Sequence, residues 1–103
     1  MEFDRYTFVL LRRGPRANEY SDEELSVLQS GHLAFLDSMR EQGHLVLAGP
    51  FDGQEDETKR GFSLFRTDVG ETKRLIDEGD PSVRAGRMSF EAMTWLTEKG
   101  ALD

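Results

Sequence analysis

Apolar residues alternate along Phe3 to Arg12, with Tyr6, Phe8 and Leu10 on one side of a period-two ribbon and Thr7, Val9 and Leu11 on the other. Both sides are apolar, so the segment reads as a central strand. Gly14-Pro15 then breaks the chain and opens the polar linker RRGPRANEYS. Beyond it the period changes. Leu25, Leu28, His32, Phe35, Leu36 and Met39 fall within an arc of about 100° at helical spacing, the width of a core-facing stripe. Ser21 and Glu24 stand at capping-box spacing, and Asp22, Glu23 and Glu24 place negative charge where a helix N-terminus is electropositive. A helix is predicted from this cap to Gly43, which suits a helix stop.

His44 to Phe51 is a short apolar run closed by Gly49-Pro50, and Arg60 to Thr67 alternates Phe62 and Leu64 against Ser63 and Phe65. These read as the second and third strands. The turn between them, DGQEDETK, is acidic, but Asp52, Glu55, Asp56 and Glu57 do not follow the spacing of an EF-hand loop. A solvated loop is expected there, with no metal site. Asp68 and Glu71 repeat the capping-box spacing, and Val69, Leu75 and Ile76 give the thin apolar side of a second helix, Val69 to Glu78, ended by Gly79. Asp80 precedes proline, so it suits the N-cap of a single turn, Pro81 to Ala85, stopped by Gly86. Arg87 to Leu96 alternates as a final strand, and TEKGALD reads as an exposed tail.

The order βαββαβ predicts an α+β, ferredoxin-like fold: an antiparallel four-stranded sheet with two helices on one face. The other face is left bare. Because the first and last strands carry apolar groups on both sides, that face exposes a large patch, and a homodimer packed sheet to sheet is expected.

A chain of 103 residues fits one domain, residues 1–103, hiding roughly two thirds of its unfolded surface. Thirteen basic against twenty acidic residues give a formal charge of −7, which removes the electrostatic attraction that nucleic acids and anionic membranes require. The absence of cysteine excludes disulfides, thiolate metal sites and thiol catalysis. The apolar run Thr7 to Leu11 is too short for a signal-peptide core or a membrane span, so a soluble, cytoplasmic protein is expected.

Few residues remain that can carry chemistry. His32 sits near the centre of the apolar arc, so its ring should point at the sheet or into a cleft at its edge, and a buried imidazole needs a partner for at least one nitrogen. A carboxylate there would fix the tautomer, as in acid–base dyads. A hydrogen-bonded structural histidine fits the same pattern. Gly31 weakens the helix beside it, which is tolerated where a strand or a ligand approaches the backbone closely. Asp80 is accounted for locally by capping. His44 reads as a strand-entry residue without a catalytic role. Arg12, Arg13 and Arg16 form a basic cluster able to bind an anionic group with paired hydrogen bonds, or simply a solvated loop.

Three stretches, GHLAFLDSMREQGHLVLAGPF, GFSLFRTD and DEGDPSVRAGRMSFEAMTWL, resemble the YCII-related (YciI-like) domain family over almost the whole chain. Its motifs match His32-Leu33, Ala48-Gly49-Pro50 and Asp80-Pro81 in order and spacing. The resemblance implies a dimeric α+β barrel, and carries an active-site histidine and aspartate onto His32 and Asp80. Family relatives include muconolactone isomerase-like proteins and a dehalogenase of chlorinated muconolactone, which implies acid–base chemistry without metal or other cofactor. The expected site is then catalytic His32 and Asp80, with Arg12, Gly49 and Pro50 contacting a small-molecule substrate. A non-catalytic metabolite-binding dimer and a purely structural dimer remain open alternatives.

Overall fold

β1 (Phe3–Arg13) lies between β3 (Lys59–Phe65) and β4 (Met88–Glu98), and β2 (Leu45–Pro50) completes a sheet of order β2-β3-β1-β4. All neighbours are antiparallel. The structure, a computed structural model, describes residues 1–103. Helices α1 (Asp22–Glu41), α2 (Val69–Gly79) and the single turn α3 (Pro81–Arg84) complete a ferredoxin-like α+β fold with the helices on one face of the sheet. A short 3-10 turn, Ala17–Glu19, interrupts the linker after β1. No helix is long and apolar enough to cross a membrane.

The two apolar sides of β1 do different jobs. Val9 and Leu11 join Phe35 and Met39 of α1, Leu45, Phe65 and Ile76 in the core beneath the helices. Each such buried side chain contributes about 1.5–3 kcal/mol of transfer free energy. Tyr6, Phe8 and Leu10 turn to the other face, where Phe8 stacks on Phe62 with centroids 5.2 Å apart and Tyr6 leans on Trp95 at 6.3 Å. No helix covers that face. Tyr6 and Leu64 are buried on it, Met93 and Trp95 are 43% and 41% exposed, and a hollow of about 510 Å³ opens among Phe8, Leu47, Phe62, Met93, Trp95 and Leu102 of the C-terminal tail.

The caps explain where the helices begin. Ser21 Oγ accepts from the Glu24 N–H and the Ser21 N–H donates to Glu24 Oε1, a complete capping box. At α2 only half of that arrangement forms. Asp68 Oδ1 accepts from the Glu71 N–H at 2.8 Å, while the Glu71 carboxylate turns to Arg74 instead of reaching back. α1 ends where Gly43 adopts φ +80°, and Gly86, at φ +73°, ends the turn of α3. β4 runs two residues beyond the predicted Leu96, to Glu98, and the tail after it is tied back by the Gly100 N–H donating to Asp4 Oδ2.

Candidate functional site

Two dipeptides, Gly31-His32 on α1 and Asp80-Pro81 between α2 and α3, meet face to face. Asp80 ends one helix and begins the next, with its N–H donating to the Ile76 carbonyl. Oδ1 accepts from the Ser82 N–H at 3.0 Å, the N-cap bond expected of aspartate before proline. Oδ2 lies 2.7 Å from His32 Nδ1. Capping and partnering the histidine are therefore one arrangement, one oxygen each. The residue is 1% exposed and His32 7%.

The seat for this pair is built by close packing. A Cβ on Gly31 would lie 2.9 Å from Pro81 Cγ, so the glycine makes room for the proline ring. The expected close approach is made by α3 rather than by a strand. Ser82 Oγ donates to the Leu28 carbonyl at 3.0 Å, a second tie between α3 and α1 one turn before His32.

An ionised carboxylate only accepts hydrogen bonds, so Nδ1 carries the proton and a neutral ring keeps its lone pair on Nε2. Every fully buried side-chain nitrogen and oxygen has a partner, and Asp80 on Nδ1 is the ring's only one. Nε2 is therefore not sealed in the core. His32 lines a cleft of about 710 Å³ between α1 and the sheet end where β1 and β2 finish and β3 and β4 begin. That volume falls within the range of small-molecule pockets. The pair is thus buried at Asp80, with His32 at the wall of the cleft.

Gly49 and Pro50 line this cleft with His32. Arg12 does not. It follows the parity of Phe8 and Leu10 onto the bare face and pairs with Glu91 at 3.4 Å. Arg12, expected to contact a substrate, is thus placed away from this cleft, while Arg13, Arg40, Arg60 and Arg87 line it. The last three carry no local motif. Arg60 and Arg87 reach the site because they stand at strand starts that the topology brings to one end of the sheet. His44 sits at the turn into β2, its N–H donating to the Met39 carbonyl. No three histidine, aspartate or glutamate side chains converge in a metal-binding arrangement. In the acidic turn, hydrogen bonds from the Thr58 hydroxyl and N–H hold the Asp56 carboxyl below its ordinary value of 3.8.

No protein-family model matches the chain, and no curated protein sequence does. Among solved structures, 5-chloro-2-hydroxyhydroquinone dehydrochlorinase (TftG) from Burkholderia phenoliruptrix AC1100, in complex with 2,5-dihydroxybenzoquinone, superposes at a TM-score of 0.55. The two are 17% identical, over 91% of this chain and 95% of that one. The likeness shows the fold. A structural-genomics protein, YJCS, covers 91% of this chain and 97% of its own at a TM-score of 0.49 and 7% identity.

Proposed function

We propose that residues 1–103 form a YCII-like domain that performs acid–base proton transfer on a small carbonyl or lactone compound, an isomerase- or lyase-type reaction. One observation carries this reading: Asp80 holds His32 Nδ1 at 2.7 Å, and the same histidine lines a cleft large enough for a metabolite. In the proposed step Nε2 takes a proton from a carbon next to the carbonyl, and the C–H electron pair passes into the carbonyl as an enolate. Asp80 holds the ring's orientation and stabilises the imidazolium. Where the enolate is conjugated with a C=C bond, return of the proton from the imidazolium to the far carbon shifts the double bond and gives isomerisation. Where a leaving group stands β to the carbonyl, the enolate's electron pair forms a C=C bond as that group departs with its bonding electrons, which gives elimination. One solved structure sharing the fold is that of a dehydrochlorinase, which supports elimination as the second outcome.

The test is proton exchange in D₂O, followed by NMR, on a series of small ketones and unsaturated lactones, each with and without a carboxylate group. Wild-type protein is expected to catalyse C–H deuteration of at least one of them, with His32→Gln losing about 10²–10⁴-fold of the rate. Exchange that survives in His32→Gln overturns the proposal. Ligand binding with no exchange on any compound supports a metabolite-binding module instead.

The same reading includes a homodimer, closed by packing the bare sheet face of one copy on that of another. The exposed apolar surface around Phe8, Met93 and Trp95 supports it, since a face of this kind is unusual on a monomer.

A further inference from the structure

The charge lining the cleft runs against that of the whole chain. At a formal −7, carboxylates outnumber basic groups, yet the cleft is lined by Arg13, Arg40, Arg60 and Arg87 against one carboxylate, Asp37. Asp37 is taken up by Arg40 at 3.1 Å. The other three arginines have no carboxylate partner. Arg13 donates to the Asn18 side-chain carbonyl, Arg87 to that of Gln29 at 3.0 Å, and Arg60 to the Glu57 backbone carbonyl at 3.4 Å. Outside the cleft Arg12, Arg16 and Arg74 lie against glutamates, while Arg5, Arg66 and Arg84 stand without a carboxylate partner, so what sets the cleft arginines apart is their gathering around one space with a single carboxylate. A neutral amide oxygen orients a guanidinium without cancelling its charge, so these contacts hold the arginines in place and leave them attractive to an anion.

Their placement fits a ligand on His32. Gln29, which holds Arg87, stands about one helical turn before His32 on α1, and both line the cleft. Arg13 enters the same end of the sheet from β1, where its N–H donates to the Thr58 carbonyl at 2.7 Å.

We infer that the cleft takes a carboxylate-bearing substrate, with Arg13 and Arg87 as its anion anchor and the reacting carbon presented to His32. The inference rests on the proposed proton-transfer site for its reaction, but not for its binding. A guanidinium fork and a carboxylate match in geometry, and with Arg13 exposed and Arg87 half-buried each pair is worth about two- to fivefold in affinity. The arginines thereby select acids over neutral carbonyl compounds of the same shape.

The test is an NMR titration of the whole protein with acetate, benzoate, malonate and phthalate, against benzamide and malonamide as uncharged counterparts. Carboxylates are expected to bind in the millimolar range and to shift the His32 ring signals, while the amides do not. Arg13→Gln and Arg87→Gln should each weaken binding about two- to fivefold, whereas Arg74→Gln, on α2 outside the cleft, should leave it unchanged. Should either arginine variant melt early, binding to wild-type protein at low and high salt serves in its place, and affinity should fall as salt rises. Equal binding of amides, no binding of any carboxylate, or no effect of salt overturns the inference. Carboxylate binding without proton exchange leaves it standing and removes the catalytic reading, while exchange on neutral ketones with no carboxylate binding does the reverse.

Discussion

The Pro81 ring packs on the bare backbone of Gly31, where a Cβ would come within 2.9 Å of Cγ. This contact sets the distance between α1 and α3, and with it the separation of the next residue on one side, His32, from the preceding residue on the other, Asp80. Alanine in an exposed helix interior ordinarily stabilises by about 1 kcal/mol over glycine. Here the added methyl must displace the proline ring. Gly31→Ala is therefore expected to lose about 1 kcal/mol in urea unfolding and to perturb the His32 Nδ1–H resonance. A more stable protein with an unchanged resonance would show that the ring yields freely and that the glycine does not set the dyad.

Asp80 has two oxygens in two tasks, and substitutions separate them. Asp80→Asn retains an oxygen and a side chain suited to capping, so a loss of about 1–2 kcal/mol is expected. Asp80→Ala removes both bonds from a residue 1% exposed and should cost about 3–5 kcal/mol. The asparagine variant should also lose the fixed tautomer, read as a change in the ¹⁵N shifts of the His32 ring. Equal stability of the alanine variant and the wild type would mean that the Ser82 and His32 contacts contribute little to folding.

Much of this arrangement is legible in the sequence, and the part that is not has a physical reason. The stripe Leu25 to Met39 places His32 on the inner side of α1 because helical period alone decides that. Asp80 announces its capping through the proline after it, but its second oxygen has a partner 48 residues away that local rules do not contain. The shift from Arg12 to Arg13 comes from β1 itself. With Tyr6, Phe8 and Leu10 as apolar as Thr7, Val9 and Leu11, alternation shows that the two arginines part ways without showing which goes to the helix side. Arg60 and Arg87 become neighbours of the cleft only through sheet order.

The capping box at α1 supplies a pH-dependent contribution whose sign is fixed. The Glu24 carboxyl lies below its ordinary value of 4.5 because the Ser21 N–H donates to it, with the Ser21 side chain second. A depressed folded-state value means stability that is present above 4.5 and lost as pH falls from there through the folded value. Glu24→Gln keeps a side chain able to accept that bond but removes the charge. Unfolding measured at neutral pH and stepwise below 4.5 should show the wild-type advantage shrinking as the pH drops. A difference that stays constant through this window would assign the effect to something other than Glu24 ionisation.

Trp95 and Met93 test the proposed second copy. Both stand on β4 opposite Tyr6 and Phe8 on the bare face, and together with Leu47 they remain about two-fifths exposed. A stable interface needs roughly 1,000 Å² or more of buried surface with an apolar centre. A charge placed at that centre removes more association energy than one at its rim, since it is desolvated without a partner. Trp95→Glu and Met93→Glu should therefore sediment as single chains while wild-type protein sediments as a dimer, and Glu2→Gln, at an exposed position paired with Lys99, should leave the dimer intact. Because the helices and the His32–Asp80 pair lie on the other side of the sheet, the glutamate variants should retain the His32 ring resonances of the wild type. Wild-type protein that sediments as a single chain at all concentrations would remove the dimer from the proposal and leave the dyad untouched.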